Sequence, residues 1–299
     1  FATGEILFNE GGSGSVTVAG GGTLEAGDAE NDGITDIYIG AGGSLLVQNG
    51  ATLIGDVANV GGSLVIGNSP GTTAFGGSFI QQAGSMEVEL EGTGEGGYDL
   101  YQIAGSAVLS GGAIEFSTYG DYDPLAGDSF VFLTAAGGLT VDEEMLSFVF
   151  RGVGEGFDFE VDFDGDSASL VVLNGAGAGD SMVFRGGAGS DSFVGGDGND
   201  RLDGGAGSDT LTGGAGSDLF VLRAADAAGT LEAADLITDF EIGADSFLLS
   251  DGLGLGDLTL TSTESGDAAI TLNSGGGYLA VLQGVSASQI NLEELSVIA

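Results

Sequence analysis

The chain has 299 residues and a formal net charge of −41, with 45 Asp and Glu against only four basic residues, all Arg. Such a surface repels phosphate backbones and anionic lipid, so neither a nucleic-acid partner nor membrane insertion is expected, whereas cations are attracted. Cys, His, Lys and Trp are absent, which removes disulfides, zinc and thiol sites, Ser-His-Asp triads and Schiff bases; the chain is expected not to be an enzyme.

The sequence opens at Phe1 without an initiator Met or a visible secretory leader, and it reads as a processed form or a fragment. Sixty-one Gly and two Pro suit short strands joined by tight turns. Up to about residue 95, apolar runs alternate with Gly-rich corners. A phrase recurs at Gly22-Thr-Leu, Gly43-Ser-Leu-Leu, Gly62-Ser-Leu-Val and Gly77-Ser-Phe-Ile, at intervals of 21, 19 and 15 residues. These intervals suit the rungs of a parallel β-helix with Leu, Val, Ile and Phe pointing inward; a β-sandwich with Gly-rich turns is the competing fold. Within this stretch Asp28, Glu30, Asp32 and Asp36 surround Gly33 with the spacing of a short calcium loop. The closing Glu is missing, Ile39 standing in its place, and an exposed corner is the preferred reading.

Residues Gly77-Ser-Phe-Ile-Gln-Gln-Ala-Gly-Ser-Met-Glu-Val-Glu-Leu90, Tyr98-Asp-Leu-Tyr-Gln-Ile103 and Pro124-Leu-Ala-Gly-Asp-Ser-Phe-Val-Phe-Leu133 resemble the end of an autotransporter-type passenger β-helix. That resemblance implies display and scaffolding, although no outer-membrane barrel follows. Next, Phe157 to Phe163 alternates apolar and acidic residues and Ser167 to Val172 returns, with Asp164-Gly165 as the hairpin turn between them. Turn chemistry accounts for Asp162, Asp164 and Asp166 better than a cation site does.

Four consecutive nonapeptides follow: Gly186-Gly-Ala-Gly-Ser-Asp-Ser-Phe-Val194, Gly195-Gly-Asp-Gly-Asn-Asp-Arg-Leu-Asp203, Gly204-Gly-Ala-Gly-Ser-Asp-Thr-Leu-Thr212 and Gly213-Gly-Ala-Gly-Ser-Asp-Leu-Phe-Val221. The glycines let carbonyl oxygens turn toward a common centre, the Asp adds a hard anionic oxygen suited to Ca²⁺, and the eighth residue is always apolar. The four copies fit G-G-x-G-x-D-x-U-x and resemble the RTX calcium-binding repeat. This resemblance implies that two nonapeptides close one turn of a right-handed β-roll. Gly186–Asp191 is then expected to face Gly204–Asp209, and Gly195–Asp200 to face Gly213–Asp218, with several Ca²⁺ ions held between turns. The primary ligands are Asp191, Asp200, Asp209 and Asp218. Gly186, Ala188, Gly195, Asp197, Asn199, Gly204, Ala206, Gly213 and Ala215 complete the loops. Asp235 and Asp239, in a segment resembling the one that follows RTX arrays, are carried over as ligands of the last turn. Upstream, Gly175 to Val183 reads as a degraded repeat.

The expected fold is all-β: a right-handed parallel β-helix or β-solenoid, then a calcium-binding RTX β-roll, then a β-rich C-terminal cap. The expected segments are a scaffold over 1–147, a β-hairpin connection over 148–174, the calcium roll over 175–222 and the cap over 223–299. The cap would hold a type I secretion signal within 279–299. The implied protein is extracellular or at the cell surface, a structural or adhesive subunit of an S-layer, matrix fibre or adhesin. It folds on binding Ca²⁺ and self-associates through solenoid surfaces or ends. A non-catalytic RTX module of a larger secreted enzyme and a carboxylate-based polysaccharide-active β-helix are the alternatives.

Overall fold

The computed structural model describes residues 6–8, 14–18, 21–25, 36–67, 70–119, 122–153, 157–174, 181–291 and 297–298. Strands dominate the described residues, and their only helical turns are short 3-10 segments such as Glu143–Met145. The chain divides into two compact units, one of residues 1–151 with 156–178, the other of 152–155 with 179–299.

The first unit is a parallel solenoid with two main walls. In one, Gly43–Gln48, Val57–Gly67, Phe79–Leu90, Gly112–Thr118 and Leu146–Val153 pair in parallel. Their register stacks Leu45 on Leu64, Leu64 on Met86 and Met86 on Ile114. In the other, Thr23–Glu25, Thr52–Ile54, Thr72–Phe75, Leu100–Ile103 and Ser129–Ala135 run parallel. Parallel pairing between successive rungs rules out the β-sandwich. Period-2 alternation puts Leu45, Val47, Leu64, Ile66, Met86 and Val88 in the core. Phe116 gathers Phe132, Phe150 and Phe159 around it, with ring centroids 5.3, 6.0 and 6.0 Å away.

The recurring sequence phrase only partly marks the rungs. Gly43-Ser-Leu does stack on Gly62-Ser-Leu, but the next member of that column is Gly84-Ser-Met. Gly77-Ser-Phe stacks instead on the corner before Val57, and Thr23-Leu24 pairs with Thr52-Leu53 in the other wall. The physical reason is that each rung turns several Gly-rich corners. Equivalent corner chemistry therefore recurs more often than once per rung.

Several polar side chains inside the solenoid are bonded from rung to rung. Asn59 donates to Gln81 Oε1 at 3.0 Å, and both side chains are fully buried. At one corner Asp36 Oδ2 accepts the Asp56 N–H, Asp56 Oδ1 accepts the Ser78 N–H, and Ser78 Oγ accepts the Ser106 N–H. Asp36 is the described end of the candidate calcium loop; Asp28, Glu30 and Asp32 lie outside the described residues. The hairpin Asp158–Asp164 with Ser167–Asn174 joins the second wall, pairing antiparallel with Ser129–Ala135. Asp164 Oδ1 accepts the Gly165 N–H within its turn, which is turn chemistry.

The second unit repeats the two-wall plan. Ser181–Arg185, Arg201–Asp203, Leu219–Arg223, Ser246–Ser250 and Val297–Ile298 form one parallel wall. Ser192–Asp197, Thr210–Ala215, Asp235–Ile237 and Tyr278–Leu282 form the other, extended by antiparallel Ala268–Leu272 and Leu258–Ser262. Phe193, Leu202, Leu211 and Phe220, the eighth residues of the four repeats, are all buried. Phe240 stacks on Phe247 at 4.8 Å and closes the core beyond the array. Leu279, Ala280 and Leu282 are core residues of this unit, whereas residues 292–296 of the segment read as an export signal lie outside the described residues.

Candidate metal centre

Each nonapeptide is a loop followed by a short strand, and the strands Ser192–Asp197 and Thr210–Ala215 run on into the first three residues of the next repeat. Successive strands alternate between the two walls, so each strand pairs with the one two repeats away: Ser192 with Thr210, Arg201 with Leu219. Gly186–Asp191 therefore stacks against Gly204–Asp209, and Gly195–Asp200 against Gly213–Asp218.

The aspartates hold this stack in register. Asp209 Oδ1 accepts the Asp191 N–H at 2.8 Å and Asp218 Oδ1 accepts the Asp200 N–H at 2.9 Å, in each case across 18 residues. One turn earlier, Met182 donates its N–H to Asp200 Oδ1. Each bond commits one carboxylate oxygen and fixes the side chain. The second oxygens of Asp200, Asp209 and Asp218 are buried and have no hydrogen-bond partner. Asp191 Oδ2 accepts the Gly187 N–H at 3.2 Å. A buried anionic oxygen without a partner is costly, so the folded loops favour a counter-charge or a proton at these points.

The glycines shape the space around those oxygens. A Cβ added at Gly186 would overlap the Gly204 carbonyl oxygen and Asp191 Oδ2; one at Gly195 would overlap Asp200 Oδ2 and the Gly213 carbonyl oxygen. Gly204 and Gly213 stand in the same way over Asp209 Oδ2 and Asp218 Oδ2. Gly205 and Gly214, at φ +79° and +100°, lie against the carbonyls of Gly187 and Gly196. Each loop thus brings a carboxylate oxygen and backbone carbonyls together around a space that only glycine leaves open. Among the described residues no three acidic side chains are grouped so as to hold a metal ion by themselves. An ion here would be held chiefly by carbonyls with few carboxylates, a hard-oxygen set suited to Ca²⁺, which takes six to eight oxygens.

The other expected loop residues are placed as follows. Ala188 and Ala206 lie in the facing loops, and Ala206 donates its N–H to the Gly187 carbonyl. The Ala215 carbonyl accepts the Gly198 N–H, and Asn199 Oδ1 accepts the Ser217 N–H at 2.8 Å, so the Asn side chain serves stacking. Asp197 is exposed at the rim of its loop. Asp235 is buried and its Oδ1 accepts the Asp209 N–H at 3.1 Å. Asp239 uses both oxygens to accept the N–H groups of Gly213 and Gly214, at 2.9 Å each, and so caps the last loop.

Asp245 was not among the expected residues. It accepts the Asp218 N–H at 2.9 Å and the Glu241 N–H at 2.7 Å, continuing the aspartate ladder into the cap. A signal for it exists, since Gly243-Ala-Asp245-Ser-Phe247 repeats the second half of the first nonapeptide, Gly189-Ser-Asp-Ser-Phe193. Of the degraded upstream repeat, residues 175–180 lie outside the described residues.

Burial governs the electrostatics of the ladder. It raises the carboxyls of Asp191, Asp218 and Asp245. It pushes Asp200 and Asp209 up to about 6, helped by the neighbouring charges of Asp218 and Asp191 respectively. Asp235 reaches about 8, from burial and then the charge of Asp209.

Residues 185–220 match the RTX calcium-binding nonapeptide repeat family in four copies. The segment is an RTX array. Its four units are the nonapeptides described above, and calcium is the ion that this family binds. No curated protein matches the chain. Among solved structures, the extracellular lipase LipA from Serratia marcescens is similar at 15% identity and a TM-score of 0.27. The match covers 93% of this chain but 42% of the lipase, so the chain spans less than half the length of that protein.

Proposed function

We propose that the chain is a secreted, non-catalytic scaffold of a cell surface or extracellular matrix, in which the RTX array acts as a calcium-dependent folding and assembly switch. The observation that carries this reading is the set of buried, unpartnered oxygens on Asp200, Asp209 and Asp218. Bound Ca²⁺ supplies the positive charge those oxygens lack. Gly186, Ala188 and Asp191, with their counterparts Gly195, Asp197, Asn199 and Asp200, Gly204, Ala206 and Asp209, and Gly213, Ala215 and Asp218, are the proposed ligand loops. Asp235 and Asp239 close the last turn. The chain's own part is to preset the carboxylates through N–H bonds and to keep bulky side chains out of the loops.

Where free calcium is scarce, like charges crowd a segment poor in apolar residues and the array stays open; millimolar calcium closes it. Self-association through solenoid surfaces or ends then builds the matrix or layer. The test is a calcium titration of the chain followed by circular dichroism and electron microscopy. Cooperative gain of β signal and growth of ordered assemblies support the reading; calcium-independent spectra, or monomers alone at millimolar calcium, would overturn it.

One observation favours the carboxylate-enzyme alternative. Glu87 and Glu115 are neighbours in register on one wall, Arg151 binds Glu115 at 2.9 Å, and burial followed by the Glu115 charge raises the Glu87 carboxyl. Assays on neutral and acidic glycans with calcium, with E87Q and E115Q as controls, separate the two readings.

A further inference from the structure

The second unit contains a carboxylate cluster gathered around a cation of the chain itself. Arg223 ends the strand Leu219–Arg223, two residues beyond the last nonapeptide. Its guanidinium makes a two-pronged contact with both oxygens of Asp203. It also lies 3.6 Å from Asp226 Oδ2 and 3.5 Å from Asp251 Oδ2. Asp203 is the ninth residue of the second repeat, a position held by Val194, Thr212 and Val221 in the other three. Its side chain is only 5% exposed. Asp226 and Asp251 belong to the cap. One of the four basic residues of the chain thus joins the array to the cap.

Asp251 has φ +57°, the only positive φ of a non-glycine residue among those described. Asp adopts this left-handed conformation more readily than most residues, and in the turn after Ser246–Ser250 the exposed Asp251 carboxylate lies beside the guanidinium. A planar fork on a buried carboxylate is the geometry for which Arg is suited and a hydrated ion is not.

We propose that Arg223 is a resident cation that fastens the array to the cap without calcium, so that the cap is a folded platform on which the calcium-bound turns are laid down. Around Asp200, Asp209 and Asp218 the counter-charge must come from solution; around Asp203 it is covalently present. The strands Leu219–Arg223 and Ser246–Ser250 therefore stay paired when calcium is withdrawn, and the loops from 186 to 218 open from the far side. The array's dependence on calcium is taken from the proposed function, whereas the clasp rests on the contacts of Arg223 with Asp203, Asp226 and Asp251.

Hydrogen exchange on the 299-residue chain, in chelator and across a calcium titration, tests this. In chelator, the wild type should exchange slowly in Leu219–Arg223 and Ser246–Ser250 and quickly in loops 186–218. R223Q should lose that slow exchange in chelator and need at least fivefold more calcium to protect the loops, while exchange in the first unit is unchanged. R223Q/D203N, which removes both charges, should recover part of the lost protection. The proposal is overturned if the wild-type strands exchange as fast as the loops in chelator, if R223Q matches wild type there, or if the double variant is no better than R223Q. Loops that calcium fails to protect in the wild type would instead refute the calcium reading.

Discussion

An aspartate in the array has two oxygens with different work. In Asp200, Asp209 and Asp218, Oδ1 accepts the N–H of the preceding turn and serves the fold, whereas Oδ2 is buried without a hydrogen-bond partner; in Asp191, Oδ2 accepts the Gly187 N–H. Asp218→Asn separates the two, because the amide keeps its oxygen for the Asp200 N–H while replacing a buried anion with a neutral donor. The calcium midpoint should rise by about tenfold or more, equivalent to roughly 1.4 kcal/mol. The β signal in chelator at neutral pH should not fall. Calorimetric titration and circular dichroism in chelator measure the two effects. Protons compete for the same oxygens. Burial pushes the carboxyls of Asp200 and Asp209 up to about 6 and that of Asp235 up to about 8, against the ordinary 3.8. A raised folded-state value means that the folded array holds protons which the unfolded chain has released. The stability that these three carboxyls contribute without calcium is therefore full below about pH 4 and is lost as the pH rises through 6 to 8. Calcium affinity must run the opposite way. Chelated protein should show more β structure and slower exchange at pH 4.5 than at pH 8, and calcium should bind more weakly at pH 5 than at pH 8.

A nonapeptide is half of a turn, so its integrity depends on parity. Removing residues 195–203 would send the following strands to the opposite wall and put Phe220 out of register with Phe247. Removing 195–212 takes out one whole turn and leaves every later strand on its own wall. The shorter deletion should abolish calcium-induced folding of the second unit, whereas the longer one should retain it with fewer ions bound; titration calorimetry with circular dichroism distinguishes them. Within a turn, Phe220→Ala should cost about 3–5 kcal/mol from the lost burial and the cavity left behind, measured by denaturant unfolding in saturating calcium. This half-turn logic was legible in the sequence because Gly, Asp and an apolar residue recur at fixed positions. The facing of Asp191 with Asp209 and of Asp200 with Asp218 follows from that period. The rungs of the first solenoid were less legible: Gly-rich corners look alike in sequence, yet Gly55 and Gly77 belong to one column and Gly62 and Gly84 to another. Asp245 escaped because its half-repeat lies well past the array, where the spacing stretches from 18 to 27 residues. The Arg223 clasp has no sequence signal, since its three carboxylates come from separate turns.

Across the molecule the two units solve one problem by different means. Both stack polar side chains from rung to rung, Asn59 on Gln81 in one and the aspartates in the other. In the first unit those groups satisfy one another, and the core is broad and aromatic around Phe116. In the second, each turn contributes a narrow pair of apolar residues and leaves carboxylate oxygens unbalanced. Calcium removal should therefore act on the units unequally. In chelator the strands of the first unit, such as Phe79–Leu90 and Gly112–Thr118, should keep slow hydrogen exchange and their own thermal transition, while loops 186–218 lose protection. Sodium chloride at about 150 mM screens the −41 charge over distances beyond roughly 8 Å, but it places no ion on a buried oxygen. Magnesium demands a tighter octahedron and holds its water, so it fits a carbonyl-lined loop poorly. Neither should substitute for calcium at equal or higher concentration. Exchange of the two units, followed separately in chelator, sodium, magnesium and calcium, decides the matter: uniform loss of protection on chelation, or recovery of the loops in magnesium, would contradict this division of labour.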